Sequence, residues 1–222
     1  MVSSSSKTAG TDSDDATVGT VAWANPGNAA GSCDANVATN TTSHSCNPCV
    51  SVLGHYLKFE TFGFSIPVGA VILGIQVTVR RKSSDNSNCN NEGGGSTVDN
   101  SVKIVKADVI GGTDKKDTST QWPTTLTDKV YGGVSDLWGL SWVAADINSI
   151  NFGVAVSQNN RGQGTIPVKN CVNKTMVASI DCVTITVTYR VVKHRKLFLV
   201  PQSNVRAGGG KVTEVSSSAL IG

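Results

Sequence analysis

The sequence predicts an all-β protein: a two-sheet antiparallel sandwich, jelly-roll-like, with extended N- and C-terminal arms. Within 183–191, apolar residues occupy every second position and threonine or arginine lies between them, as in a strand with one buried face. Seven to nine short segments separated by turn-forming clusters are typical of such a sandwich. Charged residues are only 16% of the 222 residues and glycines number 23, as in a β protein with many turns.

The stretch 180–192 is predicted to be a central strand on which earlier strands pair. From residue 183 to residue 192, every residue except Arg190 is β-branched or aromatic, and such residues suit a pleated, half-buried surface. The other main strands are predicted, in chain order, at residues 17–23, 56–64, 71–81, 98–110 and 150–157. Weaker strand fragments are expected at residues 165–168, 175–179 and 197–200.

The segments between these strands are predicted to be turns and loops, with one exception. A short helix is expected within 141–150, with Ser141 as its N-cap. The stretch 122–139 is expected to be irregular, because Pro123 does not fit a central strand. Residues 159–163 are expected to turn.

Three parts of the chain are distinguished by composition. Residues 1–16 are polar and predicted to be an N-terminal arm, residues 17–192 to be the sandwich domain, and residues 193–222 to be a C-terminal arm. The chain has no apolar run of the ~18 residues that a membrane span needs, and its first residues lack the apolar core of a secretory signal. We expect no membrane partner, and either no Sec export or a signal already removed.

Cysteines are the most suggestive group. A long loop at 27–51 carries Cys33, Cys46 and Cys49, and Cys46-Asn47-Pro48-Cys49 with Cys33 and His44 is a weak zinc candidate. No second pair follows at finger-like spacing, so we favour disulfides, and free thiols remain an alternative.

The pairing of the cysteines is open from sequence. Cys33 with Cys46 or Cys49 is one option, and Cys171 with Cys182 is another. Cys89 is a candidate partner for the 33–49 region. Sequence alone does not choose among the fifteen complete pairings that six cysteines allow.

Aromatic residues give a second candidate site. Trp122, Trp138 and Trp142, with Tyr131, are candidates for a sugar-stacking platform. The interpretation we favour is that these rings cap the core beneath a glycine-rich loop.

Catalytic motifs are absent from the sequence. The three histidines have no serine, cysteine or aspartate partner motif, and there is no phosphate-binding loop. Glu60 alone does not make a glycosidase, which needs two carboxylates. We therefore expect no enzyme activity and no cofactor. The net charge of +3 does not predict nucleic-acid binding, and the basic cluster that includes Arg81 is interpreted as a solvated strand end.

Several motifs between residues 56 and 189 carry a family resemblance. They are Phe62-Gly63-Phe64-Ser65-Ile66-Pro67, Ile72–Val79, Tyr131-Gly132-Gly133 with Asp136–Gly139, Asn151–Val154 and Asp181–Val187. In this order they resemble a β-sandwich module of tailed-bacteriophage virion proteins, of the head decoration (cement) or tail-associated type. The resemblance covers roughly the middle three-fifths of the chain and brings no catalytic residues with it.

The resemblance implies a non-enzymatic virion structural protein, assembled in the host cytoplasm. Its expected partners are further copies of itself, with a trimer as one candidate symmetry, and another virion protein such as the major capsid protein or a tail protein. The segment Leu197-Phe198-Leu199-Val200 is the candidate for subunit contact by adding a strand to a neighbour's sheet, although it could instead close its own sheet. The alternative function is a carbohydrate-binding module of a tail fibre or of a secreted protein.

Overall fold

The computed structural model describes residues 1–44, 50–86, 94–162 and 174–192, and it confirms the all-β sandwich. One α-helix, α1 (Ala144–Asn148), and one 3-10 helix (Pro26–Ala29) accompany the strands of these residues. The strands are β1 (Val2–Thr8), β2 (Thr11–Asp15), β3 (Ala38–His44), β4 (Val50–Leu53), β5 (Tyr56–Glu60), β6 (Val71–Ser83), β7 (Gly95–Lys106), β8 (Val109–Gly111), β9 (Thr127–Gly132), β10 (Gly153–Gly162) and β11 (Lys174–Arg190). No helix of this described part is long and apolar enough to cross a membrane.

The strands form two antiparallel sheets. In the first sheet, β1 and β3 lie along one edge of β11, followed by β6 and β9. In the second, the order is β2, β5, β10, β7 and β8, with β4 also on β10.

The strand pairs are nested, and this nesting defines a jelly roll. The chain pairs β7 with β8, β6 with β9, β5 with β10 and β3 with β11, and these four pairs alternate between the two sheets. A long antiparallel ribbon wound over two sheets in this way is the jelly-roll arrangement.

Strand β11 is central, as its residue pattern predicts. Val183, Ile185 and Val187 are fully buried between the sheets, whereas Thr184 and Thr186 lie on the other face. β11 pairs with β6 on one side and with β1 and β3 on the other.

The core holds most of the large aromatic side chains. Trp122 and Trp138 are 0% exposed and Trp142 is 9% exposed. The Trp138 indole donates to the Ile75 carbonyl oxygen at 2.9 Å, and the Trp142 indole to that of Leu137 at 2.9 Å. Their polar atoms are therefore satisfied inside the fold.

The N-terminal arm prediction is wrong, because residues 1–16 contain two paired strands. β1 pairs with β11 in the first sheet, and β2 pairs with β5 in the second. Main-chain hydrogen bonds hold both strands, and in β2 the Asp14 carboxylate also accepts from the Trp23 N–H. Sequence polarity therefore suggested an arm where the structure has two edge strands.

Other element predictions also need correction. The predicted strand at 17–23 is an irregular segment, which forms an isolated bridge from Val21 to Gly54 and buries Trp23 against the sheets. Part of the predicted 27–51 loop is β3, and the predicted turn at 159–163 is continued by β10 as far as Gly162. The predicted strand at 56–64 stops at Glu60, because Thr61 has a left-handed φ of 58°.

The region 122–150 mixes correct and incorrect predictions. The expected helix is present as α1, but its N-cap residue is Val143 and not Ser141. The Val143 main-chain N–H donates to the Asp146 carboxylate at 2.9 Å. The stretch expected to be irregular contains β9, which begins after Pro123 and pairs with β6 at the edge of the first sheet.

Candidate functional site

One half of the space between the sheets is polar. Strands β3, β6, β7 and β10 begin or end there, and their inward side chains change from apolar to polar. Each of these side chains is at most 4% exposed: Asn40, Thr42, His44, Arg81, Ser83, Thr97, Asp99, Gln158 and Asn160. Buried polar groups need partners, so the hydrogen bonds of this group decide what it can do.

Arg81 is the centre of the largest network in this group. Its guanidinium donates to the Asp99 carboxylate and to the Tyr131 hydroxyl, and it lies 4.4 Å from the ring centroid of Trp122. The Trp122 indole and the Tyr131 hydroxyl each donate to Asp99 at 2.8 Å. Burial is the main cause that raises the pKa of Tyr131. The charge of Arg81 is matched and enclosed, so this network holds the sheets together.

The prediction that Arg81 is a solvated strand end is wrong, since its side chain is 1% exposed. The signal was present in the sequence. Ile75, Val77 and Val79 point into the core, and Arg81 follows them at the same two-residue spacing.

A second network surrounds His44. Its Nε2 lies 2.9 Å from the Thr42 hydroxyl, while its Nδ1 is buried without a partner among the described residues. Burial lowers the pKa of His44 and so favours the neutral form of the ring. A Cβ on Gly162 would lie 2.2 Å from the ring carbon Cγ, so the ring is closely covered. No described carboxylate orients this ring, unlike a catalytic base.

The acidic residues of β2 make contacts beyond those of the main chain. Asp14 lies 2.8 Å from Nδ1 of His55 and accepts from the main chain of Trp23 at 2.8 Å. Asp12 points inward, and burial raises the pKa of its carboxyl to about 6. These carboxylates belong to separate contacts and do not converge on one point.

The disulfide of the described residues joins Cys33 to Cys182. The pairings suggested from sequence, Cys33 with Cys46 or Cys49 and Cys182 with Cys171, are therefore wrong. They assumed neighbours in sequence, whereas the bridge links residues 149 positions apart. Cys46, Cys49, Cys89 and Cys171 lie outside the described residues.

The zinc candidate that combined Cys33 with His44 is also wrong. Lys174 pairs with His44, and Cys182 lies eight residues further along β11, or about 26 Å at the usual strand rise. Among the described residues, the one group with metal-ligand spacing is Cys33, Asp181 and Cys182, and its two sulfurs are bonded to each other.

The disulfide lies at a gap in the pairing of β11. β3 pairs as far as Ile180 and β1 begins at Thr184, so no strand covers the three residues between them on this edge. The gap is filled by the bridge, by Ala35 N–H donating to Asp181 at 2.8 Å and by Ala9 N–H donating to the Val183 carbonyl at 3.1 Å.

Strand β1 is the most weakly packed strand of the first sheet. Ser3 and Ser5 are partly covered, and its other side chains are exposed. Each main-chain hydrogen bond contributes about 1 kcal/mol net, and ordering one residue costs about 1–2 kcal/mol. The strand is therefore held near balance. β3, on the same edge, instead buries Ala38, Asn40, Thr42 and His44.

Exposed apolar side chains gather where β1 begins and β11 ends. Val2 and Val71 both pair with Arg190, one from each side, and they are 60% and 41% exposed. Met1 is 90% exposed, and Val191 and Val192 are 36% and 44% exposed. We call these five residues the apolar corner.

The sugar-stacking hypothesis for Trp122, Trp138 and Trp142 is wrong, because all three rings are enclosed in the core. The favoured interpretation, that they cap the core, is confirmed. The contact candidate Leu197, Phe198, Leu199 and Val200 lies outside the described residues and stays a prediction.

Comparisons with known proteins give little. No protein-family model and no curated protein matches the chain. Among solved structures, the chain is similar to one described as the structure of infectious bursal disease virus, Gx strain. The identity is 8% and the TM-score 0.28, over 85% of this chain and 32% of the viral chain. The chain thus spans about one third of that viral chain, and a TM-score this low supports no functional argument.

Proposed function

We propose that this protein is a non-enzymatic structural component of a virus particle that works by assembling with copies of itself. The self-assembly part of the proposal is carried by the apolar corner beside β1, which pairs with β11 on one side only, and the virus-particle part rests on the motif resemblance. These apolar residues surround the exposed Arg190, and exposed apolar residues grouped in this way are typical of a contact surface. An edge strand with open main-chain groups offers a second means of association.

The fold is compatible with this role, although it does not by itself assign one. Jelly rolls form the shells of many viruses and also serve as lectin and cupin domains. The rigid core, with its enclosed tryptophans and matched Arg81–Asp99 pair, suits a scaffold. The finer proposal is a tailed-phage head decoration or tail-associated protein, bound to the major capsid protein or to a tail protein, and it rests on the motif resemblance.

Two of the buried carboxylates are occupied by neighbouring groups. Asp99 is saturated by Arg81, Tyr131 and Trp122, and Asp181 lies 3.1 Å from the Arg80 guanidinium. Neither faces a second carboxylate across a cleft, as glycoside hydrolysis requires.

The assembly role is tested by removing the apolar corner. We expect the wild-type protein to sediment as an oligomer. The variant V2S/V71S should shift toward the monomer, because serine gains less free energy than valine when it is buried in a contact. The matched control is V109S/V143S, which changes two valines elsewhere that are at least as exposed on average, at 67% and 59%. A wild-type protein that stays monomeric at all concentrations contradicts the proposal.

The location in a virus particle needs its own test. Antibodies against the protein should label purified particles from the culture that carries its gene. Protein found in the lysate and never on gradient-purified particles contradicts a virion role, whatever the oligomeric state.

A further inference from the structure

We propose that β1 is an exchangeable strand, which leaves its own β11 and pairs with β11 of a second copy of the chain. This inference rests on the proposed assembly role and names the segment and the edge that would carry it. The exchanging segment is Val2–Thr8, and the receiving edge is Thr184–Arg190.

The strand can leave without disturbing the core. Its side chains are exposed or only partly covered, so its departure uncovers little apolar surface of its own. A side-chain hydrogen bond joins β11 to β1 on the exposed face, from the Thr186 hydroxyl to the Ser6 hydroxyl at 3.0 Å. The main-chain bonds of the pair are ones that any copy of the same strand reproduces in the same register.

The hinge is defined by where the chain becomes firmly held. Ala9 is 1% exposed, donates to the Val183 carbonyl at 3.1 Å and accepts from the Gly31 N–H at 2.7 Å. Gly10 cannot carry a side chain, because a Cβ there would lie 2.6 Å from the Thr61 carbonyl oxygen. The segment from Ala9 onward thus stays with its own subunit, and the swing occurs between Thr8 and Ala9.

A second copy is the occupant that the surface favours. β1 from another chain fits the vacated edge residue for residue, and exchange of identical elements is a low-cost route to oligomers. The apolar corner lies at the far end of this edge, where Val2 and Val71 flank Arg190. The hinge is at the opposite end of the strand, so in the exchanged form each corner combines Met1 and Val2 of one chain with Val71, Val191 and Val192 of the other.

The test uses the Ser6–Thr186 contact. Two single variants, S6C and T186C, are co-expressed with different affinity tags, purified through both tags and mildly oxidised. Exchange predicts a covalent heterodimer on a non-reducing gel, because the thiol introduced at position 6 of one chain then faces the thiol introduced at position 186 of the other. The double variant S6C/T186C in one chain shows whether this pair of positions can form a bridge at all.

The control pair is T41C with V177C, which face each other on β3 and the same β11 edge. β3 is anchored by buried side chains, so no heterodimer is expected there, and the native cysteines are common to both experiments. If the double variant closes within the chain and the mixed S6C and T186C oligomer gives no covalent heterodimer, strand exchange is overturned while assembly stands. If the protein is a monomer, both proposals fail.

Discussion

At the scale of single residues, the buried Arg81–Asp99 pair is the feature whose loss should be felt most. Both side chains are at most 1% exposed, and the pair is completed by Tyr131 and Trp122. Removing one partner of a buried ion pair leaves an unmatched charge, whereas replacing both by apolar groups is often tolerated.

We expect D99N to lower the free energy of unfolding by about 3–5 kcal/mol, because the Arg81 charge loses its partner. The double variant R81M/D99N should recover part of that loss. Urea denaturation measures both, with K116A as the control, since the exposed Lys116 side chain has a single ion-pair contact among the described residues, at 3.9 Å to Asp114. Equal effects of D99N and K116A would contradict this account.

Asp12 gives a pH dependence whose sign can be worked out. Burial raises the pKa of its carboxyl from 3.8 to about 6, so the folded protein holds this proton more tightly than the unfolded chain does. Its stabilising contribution is therefore full below pH 3.8 and is lost as the pH rises through about 6.

We accordingly expect D12N to gain stability relative to wild type at pH 8, and this gain to shrink at pH 4. Denaturation curves at the two pH values measure it. D34N is the contrasting control, because hydrogen bonds from Asn36 lower the pKa of Asp34, and no gain at pH 8 is expected there. A D12N difference that is the same at both pH values would show that the burial of Asp12 has no such effect.

At the scale of elements, bulges explain where the sequence pattern misled. Inward residues of β11 fall on even positions up to Ile180 and on odd positions from Val183, because Asp181 is an extra residue at a shift in register. The alternation that starts at Val183 therefore predicts only the second half of this strand. The shift opposite Ser157 places an extra residue, Asn100, in β7, where the buried inward positions change from Thr97 and Asp99 to Val102 and Ile104.

Close contact between strands gives a testable prediction at Gly153. A Cβ at this position of β10 would lie 1.7 Å from the Phe59 carbonyl oxygen on β5. We expect G153A to lower the free energy of unfolding by about 1–3 kcal/mol, the usual cost of overpacking. G111A on β8 is the matched control, since a Cβ there meets nothing within 4 Å. Thermal unfolding of the two variants should separate them clearly.

At the scale of the whole molecule, the sequence predicts the class of fold better than its connections. Alternation in β6 and β11 identifies two strands with buried faces, because that pattern is local. The bridge from Cys33 to Cys182 and the pairing of β1 with β11 join residues far apart in the chain, so no local pattern reports them. The polar half of the core was missed for the same reason, apart from the spacing of Arg81.

The Cys33–Cys182 bridge should contribute strongly to stability. It joins residues 149 apart, and the chain-entropy estimate for a loop of that length is about 5 kcal/mol, although measured values of about 2–4 kcal/mol are more typical. We expect the variant C33S/C182S to have a lower melting temperature than the oxidised wild-type protein. Reductant should lower the melting temperature of the wild type by breaking this bridge, and the variant should not show that decrease. An unchanged melting temperature would contradict a stabilising role.

The nesting of strand pairs has a consequence for biosynthesis. β11 leaves the ribosome long after β1 and β3, yet both of those early strands wait for it to complete their sheet. The innermost hairpin, β7 with β8, is the pair that a nascent chain can close soonest. Residues 2–8 are therefore without their partner strand until β11 has been translated, and a serine-rich strand is well suited to that delay.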